Sequence, residues 1–487
     1  MKCVKRRKAI KSIGLGLTAG LWLPSALSSC KKDDPGPEVP FDGTVAIIGG
    51  GAAGLYTADI LSSKGINVII LEASNQLGGR VRSLRNQHEI LVQTTADFPV
   101  ELGAEVVYGT DSAWGNIIKN YTLTRIELDS QAVEQFILEN QAKSATDWGA
   151  DADLQAVRNF IDGLPGYSGG DVSMNQAAGV SARAQALLNS MAGNRFGSNS
   201  DRVGAKGVAE ALSLIEHDNV AYLIKTNPLQ DIITSRFSGV VSKVQLNTAI
   251  KTINYSGEKI ILTDQNSNQI EVDKVIVTAP LGVLKTGGIA FSPGLPAAKV
   301  TAMNKIGFDH SLRIVIDFKR NFWGDNSGYL WGGTEGPAYF NTGVLRSEFY
   351  RTLSVTVHGP KAKELSDLGD GMLDAVLAEL DSIYNNQATL YVRRELILDD
   401  LGNVIGEGDP IWFKADWGKD ELFKGGMSFL PPGSSLQDRI DFSAPINNKV
   451  FFAGEATDDK GDAGTVNGAL NSAARVAEEV VQSIINA

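Results

Sequence analysis

Residues 44–73, TVAIIGGGAAGLYTADILSSKGINVIILEA, have the periodicity of a complete strand–helix–strand unit. The apolar run at 45–48 predicts a buried parallel strand, and the pattern at 52–63 predicts a helix that ends near Gly65. A second apolar run at 68–71 predicts the next strand. Two parallel strands joined by a helix begin a doubly wound sheet, so we expect an α/β fold of the Rossmann type.

The turn before the predicted helix carries glycines at the GxGxxG spacing, Gly49, Gly51 and Gly54. Gly49 makes the tight turn, Gly51 lets the backbone approach a pyrophosphate, and Gly54 lets the helix pack closely on the strand. The helix N-terminus, with Ala52 and Ala53, supplies the positive end of a dipole. We therefore predict a dinucleotide site, with a purely structural glycine turn as the alternative.

An acidic residue, Glu72, follows the second strand, where it is able to accept hydrogen bonds from both hydroxyls of an adenosine ribose. This unit alone does not separate FAD from NAD. The next segment, LGGRVRS, contains Gly79 and Arg80 and resembles the GGR segment of the flavin-containing amine oxidase family. In that family the arginine lies against the FAD phosphates, whereas Arg80 read alone is a loop charge.

Three more blocks resemble the same family, in its monoamine and polyamine oxidase type, and occur in the same order. They are ELGAEVVYG at 101–109, the segment 272–308, and the segment 450–480 with its GEAT turn. The resemblance implies an FAD-binding Rossmann-like domain of the GR2 type with an inserted α+β substrate domain.

The resemblance also implies how the chain is divided. The predicted FAD-binding domain consists of residues 44–110, 201–292 and 440–487. The predicted substrate domain consists of residues 111–200 and 293–439. Helical periodicity in the first substrate segment predicts a mostly helical cap, and the second segment contains two predicted strands and a helix.

Carried over residue by residue, the resemblance assigns further FAD contacts. They are Gly79, Arg80, Gly103, Ala104, Glu105, Ile250, Trp417, Gly454, Glu455, Thr465 and Val466. An apolar stripe after Thr465 predicts a helix whose N-terminus points at the flavin ring edge. No cysteine occupies the segment where some relatives attach FAD covalently, so non-covalent binding is expected.

The segment GFDHSLRIVIDFKRNFW, 307–323, contains the departure that bears most on function. Its alternation predicts a strand with Arg313 on the opposite face from its apolar neighbours, and the strand alone favours a surface charge. In the resembling enzymes a lysine stands here and faces the flavin through a water. Arg313 is therefore the candidate catalytic residue, although an arginine does not lose its proton to act as a base.

The substrate pocket that the resemblance implies also departs from the family. Met427 and Thr465 stand where many relatives have an aromatic pair around the substrate amine, so the usual cation–π cage is not expected. Tyr108 stands near the place of a carboxylate in polyamine-selective relatives, which argues against a polyamine. Met427 and Tyr108 are the candidate substrate contacts.

The first thirty residues predict an export signal. A basic start, an apolar run and the sequence LSSC resemble a lipoprotein signal with Cys30 as the lipidated residue, anchored in a bacterial periplasm, outer membrane or cell surface. Arg6 and Arg7 belong either to a twin-arginine signal or to an ordinary basic region. Residues 31–43 predict a polar linker.

Composition excludes several other classes of function. The chain of 487 residues has a formal charge of −11 although its first thirty residues are basic, so nucleic-acid binding is not expected. Its two cysteines, Cys3 and Cys30, lie in the predicted signal, and its four histidines are widely spaced. We therefore expect no disulfide and no metal site in the mature protein.

These observations leave three hypotheses. The first is an FAD-dependent oxidoreductase that takes a hydride from an amine or amino acid and uses dioxygen, giving a carbonyl compound, ammonia and hydrogen peroxide. The second is an FAD-dependent dehydrogenase or desaturase with a non-amine substrate and another electron acceptor. The third is a flavin-binding surface lipoprotein without catalysis.

Overall fold

The computed structural model describes residues 38–84, 100–128, 132–324, 326–346 and 351–486. The predicted signal at 1–30, including Cys30, lies outside these residues, as does most of the predicted linker. The described end of that linker packs on the fold, since Val39 is buried and its N–H donates to the carbonyl oxygen of Lys64.

A five-stranded sheet, here called the parallel sheet, contains the predicted strand–helix–strand unit. Its strands in spatial order are Val244–Gln245, Asn67–Leu71, Thr44–Ile48, Lys274–Val277 and Val450–Phe452. Neighbouring strands all run parallel. The helix Ala52–Ser63 has the predicted bounds, which confirms the Rossmann-like prediction.

The two faces of the parallel sheet are both covered. The helices Ala52–Ser63 and Val466–Ile485 share one apolar core on the first face. The second face packs on a four-stranded sheet made of Gln269–Val272, Ile260–Asp264, Ile250–Asn254 and Ala290–Ser292. Burial on both faces explains why the parallel strands are almost wholly apolar.

A second large sheet, here called the seven-stranded sheet, is built from the other part of the chain. Its strands in spatial order are Trp412–Asp416, Ser311–Asp317, Thr352–His358, Ala338–Asn341, Ser327–Trp331, Val133–Leu138 and Gln141–Ser144. One of its faces packs on three helices, Pro360–Asp367, Gly371–Ile383 and Gln387–Tyr391. The opposite face lines a cavity.

The predicted cap is helical, but its described residues also contain three strands that the sequence did not reveal, Arg125–Glu127, Val133–Leu138 and Gln141–Ser144. Its helices are Ala113–Lys119, Ala145–Trp148, Ala152–Gly163, Leu164–Gly166, Met174–Ala178, Ala182–Ala184, Gln185–Leu188, Asn189–Gly193 and Asn194–Phe196. The hairpin Val133–Leu138 and Gln141–Ser144 turns at Glu139 and Asn140, which both have positive φ. It joins the seven-stranded sheet because Val133–Leu138 finds a parallel partner in Ser327–Trp331.

Smaller elements complete the fold. The other helices are Ala205–Leu214, Leu229–Arg236, Ser238–Val241, Leu281–Lys285, Ala297–Lys305, Leu436–Ser443 and Glu455–Thr457. The other strands are Ser83–Leu84, Val100–Glu101, Val107–Tyr108, Arg125–Glu127, Ala221–Ile224, Gly307–Phe308, Arg394–Leu398, Val404–Pro410 and Ser428–Phe429.

The two large sheets draw their strands from different segments of the sequence. The parallel sheet uses only segments predicted for the FAD-binding domain, and the seven-stranded sheet uses only segments predicted for the substrate domain. A smaller sheet mixes them, since Arg125–Glu127 pairs with Ala221–Ile224. The individual domain boundaries stay a prediction.

Candidate active site

One cavity of about 490 Å³ joins the carboxyl ends of the parallel strands to one face of the seven-stranded sheet. This position follows the rule that ligands bind outside the carboxyl ends of parallel strands. The predicted site residues that line it are Gly49, Gly51, Ala52, Ala53, Glu72, Gly79, Arg80, Gly103, Ala104, Glu105, Tyr108, Ile250, Arg313, Trp417, Met427, Gly454, Glu455, Thr465 and Val466.

The glycine turn at one end of the cavity is shaped by the absence of side chains. Gly49 has a φ of +114°, which favours glycine. A Cβ at Gly51 would be in ordinary van der Waals contact with Gly78 and Gly79, at 3.9 Å, so no clash within the chain requires glycine here, and Gly51 lines the cavity. A Cβ at Gly54 would lie 2.0 Å from the carbonyl oxygen of Gly49, so Gly54 packs the helix on the turn and does not line the cavity.

Glu72 lies beside this turn, at the end of its strand. Its carboxylate accepts hydrogen bonds from the backbone N–H groups of Gly50 and Ser74, the latter at 2.7 Å. Burial raises the pKa of Glu72, and these two hydrogen bonds oppose that shift. A carboxylate held in this way keeps further lone pairs for a hydroxyl donor.

A charge pair between half-buried Arg80 and buried Glu455, which follows the last strand of the parallel sheet, lines the cavity. Arg80 Nη1 lies 2.9 Å from Glu455 Oε1 and 2.6 Å from the carbonyl oxygen of Gly426. Glu455 also accepts from the Ser428 hydroxyl at 2.6 Å and from the Gly464 N–H at 2.8 Å. Burial acts to raise the pKa of Glu455, but Arg80, the Ser428 hydrogen bond and Arg439 outweigh it and lower the pKa, so the carboxylate stays ionised.

The other end of the cavity is formed by alternating side chains of two paired strands, Ser311–Asp317 and Thr352–His358. Their apolar residues pack on the helices behind the sheet. The polar residues on the opposite face are Ser311, Arg313, Ser354, Thr356 and His358. The sequence predicted both strands, but it did not predict that Ser354, Thr356 and His358 turn towards the site.

Arg313 is a buried residue of this face, so the alternative of a surface charge is wrong. It is 6% exposed, because strands on both sides and residues of the FAD-binding segments enclose it. Its guanidinium pairs with Glu105 and donates to the Ser354 hydroxyl at 2.8 Å. Arg313 is thus fixed by side chains on two sides, and its permanent charge is balanced by Glu105.

His358 also lines the cavity and was missed by the sequence analysis. Its backbone N–H donates to Asn194 Oδ1 at 2.7 Å, while its side-chain Nδ1 has no hydrogen-bond partner among the described residues. Burial lowers the pKa of His358 to about 4, with Arg313 adding to the shift and Asp309 opposing it. The imidazole is therefore neutral at pH 7.

An aromatic wall closes this end of the cavity. The rings of Tyr329 and Trp331 stack, with centroids 4.4 Å apart and an interplanar angle of 14°. Trp331 donates from Nε1 to Glu134 at 2.9 Å, and burial raises the pKa of Tyr329. The stack lies on the seven-stranded sheet. The sequence motifs did not identify either residue as part of the site.

Met427, one of the two predicted substrate contacts, lines the same cavity. Met427 lies against Gly464, where a Cβ would be 2.5 Å from the Met427 methyl group, and so it adjoins Thr465. Thr465 caps the helix Val466–Ile485, since its side chain accepts from the Gly468 N–H. The helix therefore begins at the predicted place, with its N-terminus towards the cavity.

The remaining predicted contacts lie along the cavity walls. Trp417 is 4% exposed, donates from Nε1 to the carbonyl oxygen of Leu102 at 3.1 Å, and has Arg82 over its ring. Ile250 is buried, whereas Tyr108 is 36% exposed at the opening.

Comparison with known proteins agrees with this geometry. Residues 52–218 and 229–481 match the family described as flavin containing amine oxidoreductase. The chain belongs to this family.

Two named relatives and one solved structure show how far the likeness extends. Lysine-specific histone demethylase 1 homolog 3 of Arabidopsis thaliana is 24% identical over 91% of this chain, which spans 30% of that protein. Polyamine oxidase 2 of the same plant is 24% identical over 90% of this chain and 87% of its own length. The solved structure of cyclohexylamine oxidase from Brevibacterium oxydans IH-35A has a TM-score of 0.71 at 17% identity, covering 91% of this chain and 99% of that one.

The predicted fold and class are thereby confirmed: an α/β flavoenzyme fold with an inserted α+β part, in an oxidoreductase of the amine oxidase family with FAD as its cofactor. The cavity fits that cofactor. The backbone of Gly51 lines the cavity without a side chain, as close approach of a pyrophosphate requires, Glu72 offers acceptors for a ribose, and the helix that begins after Thr465 has its N-terminus at the cavity wall.

Two further searches concern the described residues only. None of the helices within 38–84, 100–128, 132–324, 326–346 and 351–486 has the length and apolarity needed to cross a membrane. In the same residues, no three His, Cys, Asp or Glu side chains are grouped as a metal site requires.

Proposed function

We propose that this chain oxidises a primary or secondary amine, or an amino acid, to an imine that hydrolyses to a carbonyl compound and ammonia. Dioxygen is the final electron acceptor and is reduced to hydrogen peroxide. FAD, bound without a covalent link, supplies the hydride acceptor when present. The observation that carries the proposal is the cavity that joins the glycine turn to a polar and aromatic face of the seven-stranded sheet.

The chain's own residues account for binding and orientation. In this proposal Gly51 and Arg80, which line the cavity, contact the phosphates, Glu72 contacts the ribose, and Arg313 stabilises a developing anion as a fixed cation. The rate enhancement comes mainly from holding the substrate C–H bond in position.

The charges in the cavity favour a monoamine with an apolar or aromatic body. Every carboxylate of the described lining is already engaged: Glu105 by Arg313, Glu455 by Arg80, Glu421 by Lys424 and Glu72 by backbone N–H groups. No carboxylate there is left for the second ammonium of a polyamine, whereas the Tyr329–Trp331 stack offers an apolar surface.

Anaerobic reduction of the bound flavin tests this proposal. Purified protein is mixed separately with cyclohexylamine, benzylamine, putrescine, spermidine and individual amino acids. The visible absorbance of the oxidised flavin is followed in each mixture. We expect the apolar monoamines to bleach the flavin fastest and air to release hydrogen peroxide. Ala338→Met, which fills the substrate end next to Trp331, should keep the flavin content and slow reduction.

The arginine at position 313 favours a second candidate, a dehydrogenase or desaturase that passes electrons to another acceptor. Relatives keep a titratable lysine in this place, and Arg313 is both permanently charged and clamped by Glu105. Bleaching by a non-amine substrate, with reoxidation by a quinone or dye but not by air, would support this candidate. Bound flavin that no donor reduces would instead support a purely binding role.

We also propose that the protein is exported and held on a bacterial membrane by a lipid on Cys30. The support is the basic start, apolar run and LSSC sequence of the first thirty residues. Cell fractionation and metabolic labelling with a fatty acid test it. Cys30→Ser should abolish labelling and release the protein from membranes, whereas Cys3→Ser should leave both unchanged.

A further inference from the structure

Two cationic side chains of the cavity lining, Arg195 and Lys251, have no ion pair with any carboxylate of the described residues. Lys251 belongs to the glycine end, since the N–H of nearby Thr248 donates to the carbonyl oxygen of Glu72. Arg195 is therefore the unbalanced cation of the opposite end, as far as the described residues show. The other cations of the lining are paired: Arg80 with Glu455, Arg313 with Glu105 and Lys424 with Glu421.

The backbone that carries Arg195 is fixed on the seven-stranded sheet. The preceding residue, Asn194, donates from Nδ2 to the carbonyl oxygen of Thr356 at 2.9 Å and accepts at Oδ1 from the N–H of His358 at 2.7 Å. The Arg195 side chain is exposed and makes no hydrogen bond within the described part of the chain, although its Cζ atom lies 5.9 Å from the centre of the Phe196 ring. A guanidinium on a fixed backbone, with all its donors unused, is suited to bind a ligand.

A smaller pocket of about 140 Å³ adjoins the cavity at Arg195. The pocket and the cavity share Arg195 and Trp331, whereas Arg313 and Thr465 line the cavity only. Burial raises the pKa of Tyr329, and the charges of Arg313 and Arg195 both oppose that shift, so both guanidinium groups lie near this ring. The stack of Tyr329 on Trp331 therefore extends from the surroundings of Arg313 to Arg195.

Acidic groups decide on which side of Arg195 an anion is favoured. In the smaller pocket an anion would meet Glu134 and Asp162, which offset the charges of Arg158 and Arg195. On the cavity side every carboxylate of the described lining already has a partner, so the charge of Arg195 is not offset there. This charge repels a simple ammonium ion and attracts a substrate that also carries an anion.

We propose that Arg195 determines specificity by binding a carboxylate at the end of the substrate remote from its amine. The amine end lies towards Arg313, the apolar or aromatic body packs on the Tyr329–Trp331 stack, and the carboxylate accepts hydrogen bonds from the Arg195 guanidinium. The paired N–H groups of a guanidinium match a carboxylate, and the single positive charge balances it. The position of the amine rests on the amine oxidation proposed above, whereas the carboxylate site does not.

The first test uses two amines that differ in charge at the remote end, para-(aminomethyl)benzoate and para-(aminomethyl)benzamide. Anaerobic flavin reduction at increasing concentrations of each amine gives an apparent Kd and a limiting rate. In the wild type we expect the Kd of the benzoate to be about 10-fold lower, because it gains a charge-assisted pair. The two limiting rates should agree within about 2-fold, since the contact is the same in the ground state and the transition state.

Variants of Arg195 assign this preference to its guanidinium. Arg195→Gln should bind the benzoate and the benzamide alike, and Arg195→Lys should keep part of the preference because it keeps the charge without the paired N–H groups. The matched control is Lys251→Gln, which removes a positive charge at the glycine end and should keep the wild-type ratio of the two Kd values. Wild-type flavin content and thermal unfolding in both Arg195 variants would separate recognition from folding.

A variant of the smaller pocket tests on which side of Arg195 the carboxylate binds. Arg158 lines the smaller pocket and not the cavity, so Arg158→Gln should keep a clear preference for the benzoate. Loss of the preference in Arg158→Gln but not in Arg195→Gln would place the anion in the smaller pocket and overturn the inference. Equal Kd values for the benzoate and the benzamide in the wild type would overturn it as well.

The second test does not use turnover. The ligands para-methylbenzoate and para-methylbenzamide contain no amine that a flavin oxidises. Isothermal titration calorimetry of the flavin-loaded protein should give a Kd about 10-fold lower for the carboxylate than for the amide. This difference should disappear in Arg195→Gln and remain in Lys251→Gln.

The two tests distinguish failure of this inference from failure of the proposed function. If no amine reduces the wild-type flavin but para-methylbenzoate binds through Arg195, amine oxidation is wrong and the carboxylate site stands. If amines reduce the flavin but neither test shows a preference for the carboxylate, only the inference about Arg195 is wrong.

Discussion

The two ends of the cavity achieve binding by opposite means. The glycine turn depends on the absence of side chains. Gly49 adopts a positive φ, and a Cβ at Gly54 would clash with the backbone of Gly49. At the seven-stranded sheet the useful property is the side chains themselves, with Arg313 and His358 held between buried strands. The glycine end therefore tolerates almost no change of backbone conformation. At the sheet end, side chains can be replaced while the strands that carry them keep their place.

The largest effect is expected from a side chain at the glycine end. Gly54→Val places carbon atoms on the carbonyl oxygen of Gly49, so the helix must move off the turn. We expect a loss of more than about 4 kcal/mol of stability and no bound flavin, measured by thermal unfolding and absorbance. Gly239→Ala is the control, because a Cβ there meets no atom within 4 Å. Wild-type flavin content in Gly54→Val would contradict the assigned packing role.

The next largest effect is expected from breaking the buried pair at the sheet end. Glu105→Gln leaves the Arg313 charge buried without a counter-ion, which costs about 3–5 kcal/mol. Urea unfolding measures the loss, and Glu105→Gln combined with Arg313→Met should recover much of it. Asp59→Asn, which breaks a half-exposed pair with Arg236, should cost less than about 1 kcal/mol. Equal losses of unfolding free energy in Glu105→Gln and Asp59→Asn would show that the Arg313–Glu105 pair contributes no more to stability than a half-exposed pair.

A smaller effect concerns acid stability at the sheet end. The pKa of His358 is about 4 in the folded protein against 6.5 in the unfolded chain. Protonation of His358 therefore favours unfolding. The contribution of the neutral imidazole to the free energy of unfolding is complete above pH 6.5 and is lost as the pH falls through 4. It amounts to about 3 kcal/mol. Urea titrations at pH 7 and pH 4 should show that His358→Gln loses less stability on acidification than the wild type.

The smallest effect is expected at the N-terminal cap of the helix Val466–Ile485, where a side chain accepts a hydrogen bond from a backbone N–H group. Thr465→Ala removes the acceptor for the Gly468 N–H and should cost about 1 kcal/mol in thermal unfolding. Thr465→Ser keeps the hydroxyl and should stay close to the wild type. If Thr465→Ala has no effect on stability, another group caps this helix.

The elements at the glycine end were accessible to prediction because their structure is local. The helix Ala52–Ser63 and the strand before it have the predicted positions, since periodicity and glycine spacing act over a few residues. The hairpin Val133–Leu138 and Gln141–Ser144 escaped prediction, because its place is fixed by pairing with Ser327–Trp331 far along the chain.

The sequence by itself determined the dinucleotide turn, the family and the strand that carries Arg313, because these follow from local periodicity and from motifs in fixed order. Only the tertiary structure decided that Arg313 is buried, since its partner Glu105 is 208 residues away and the flanking strands come from later in the chain. It also decided that His358 faces the cavity. Alternation defines two faces of a strand, but which face turns inward depends on what packs against each, and that is a property of the assembled sheets.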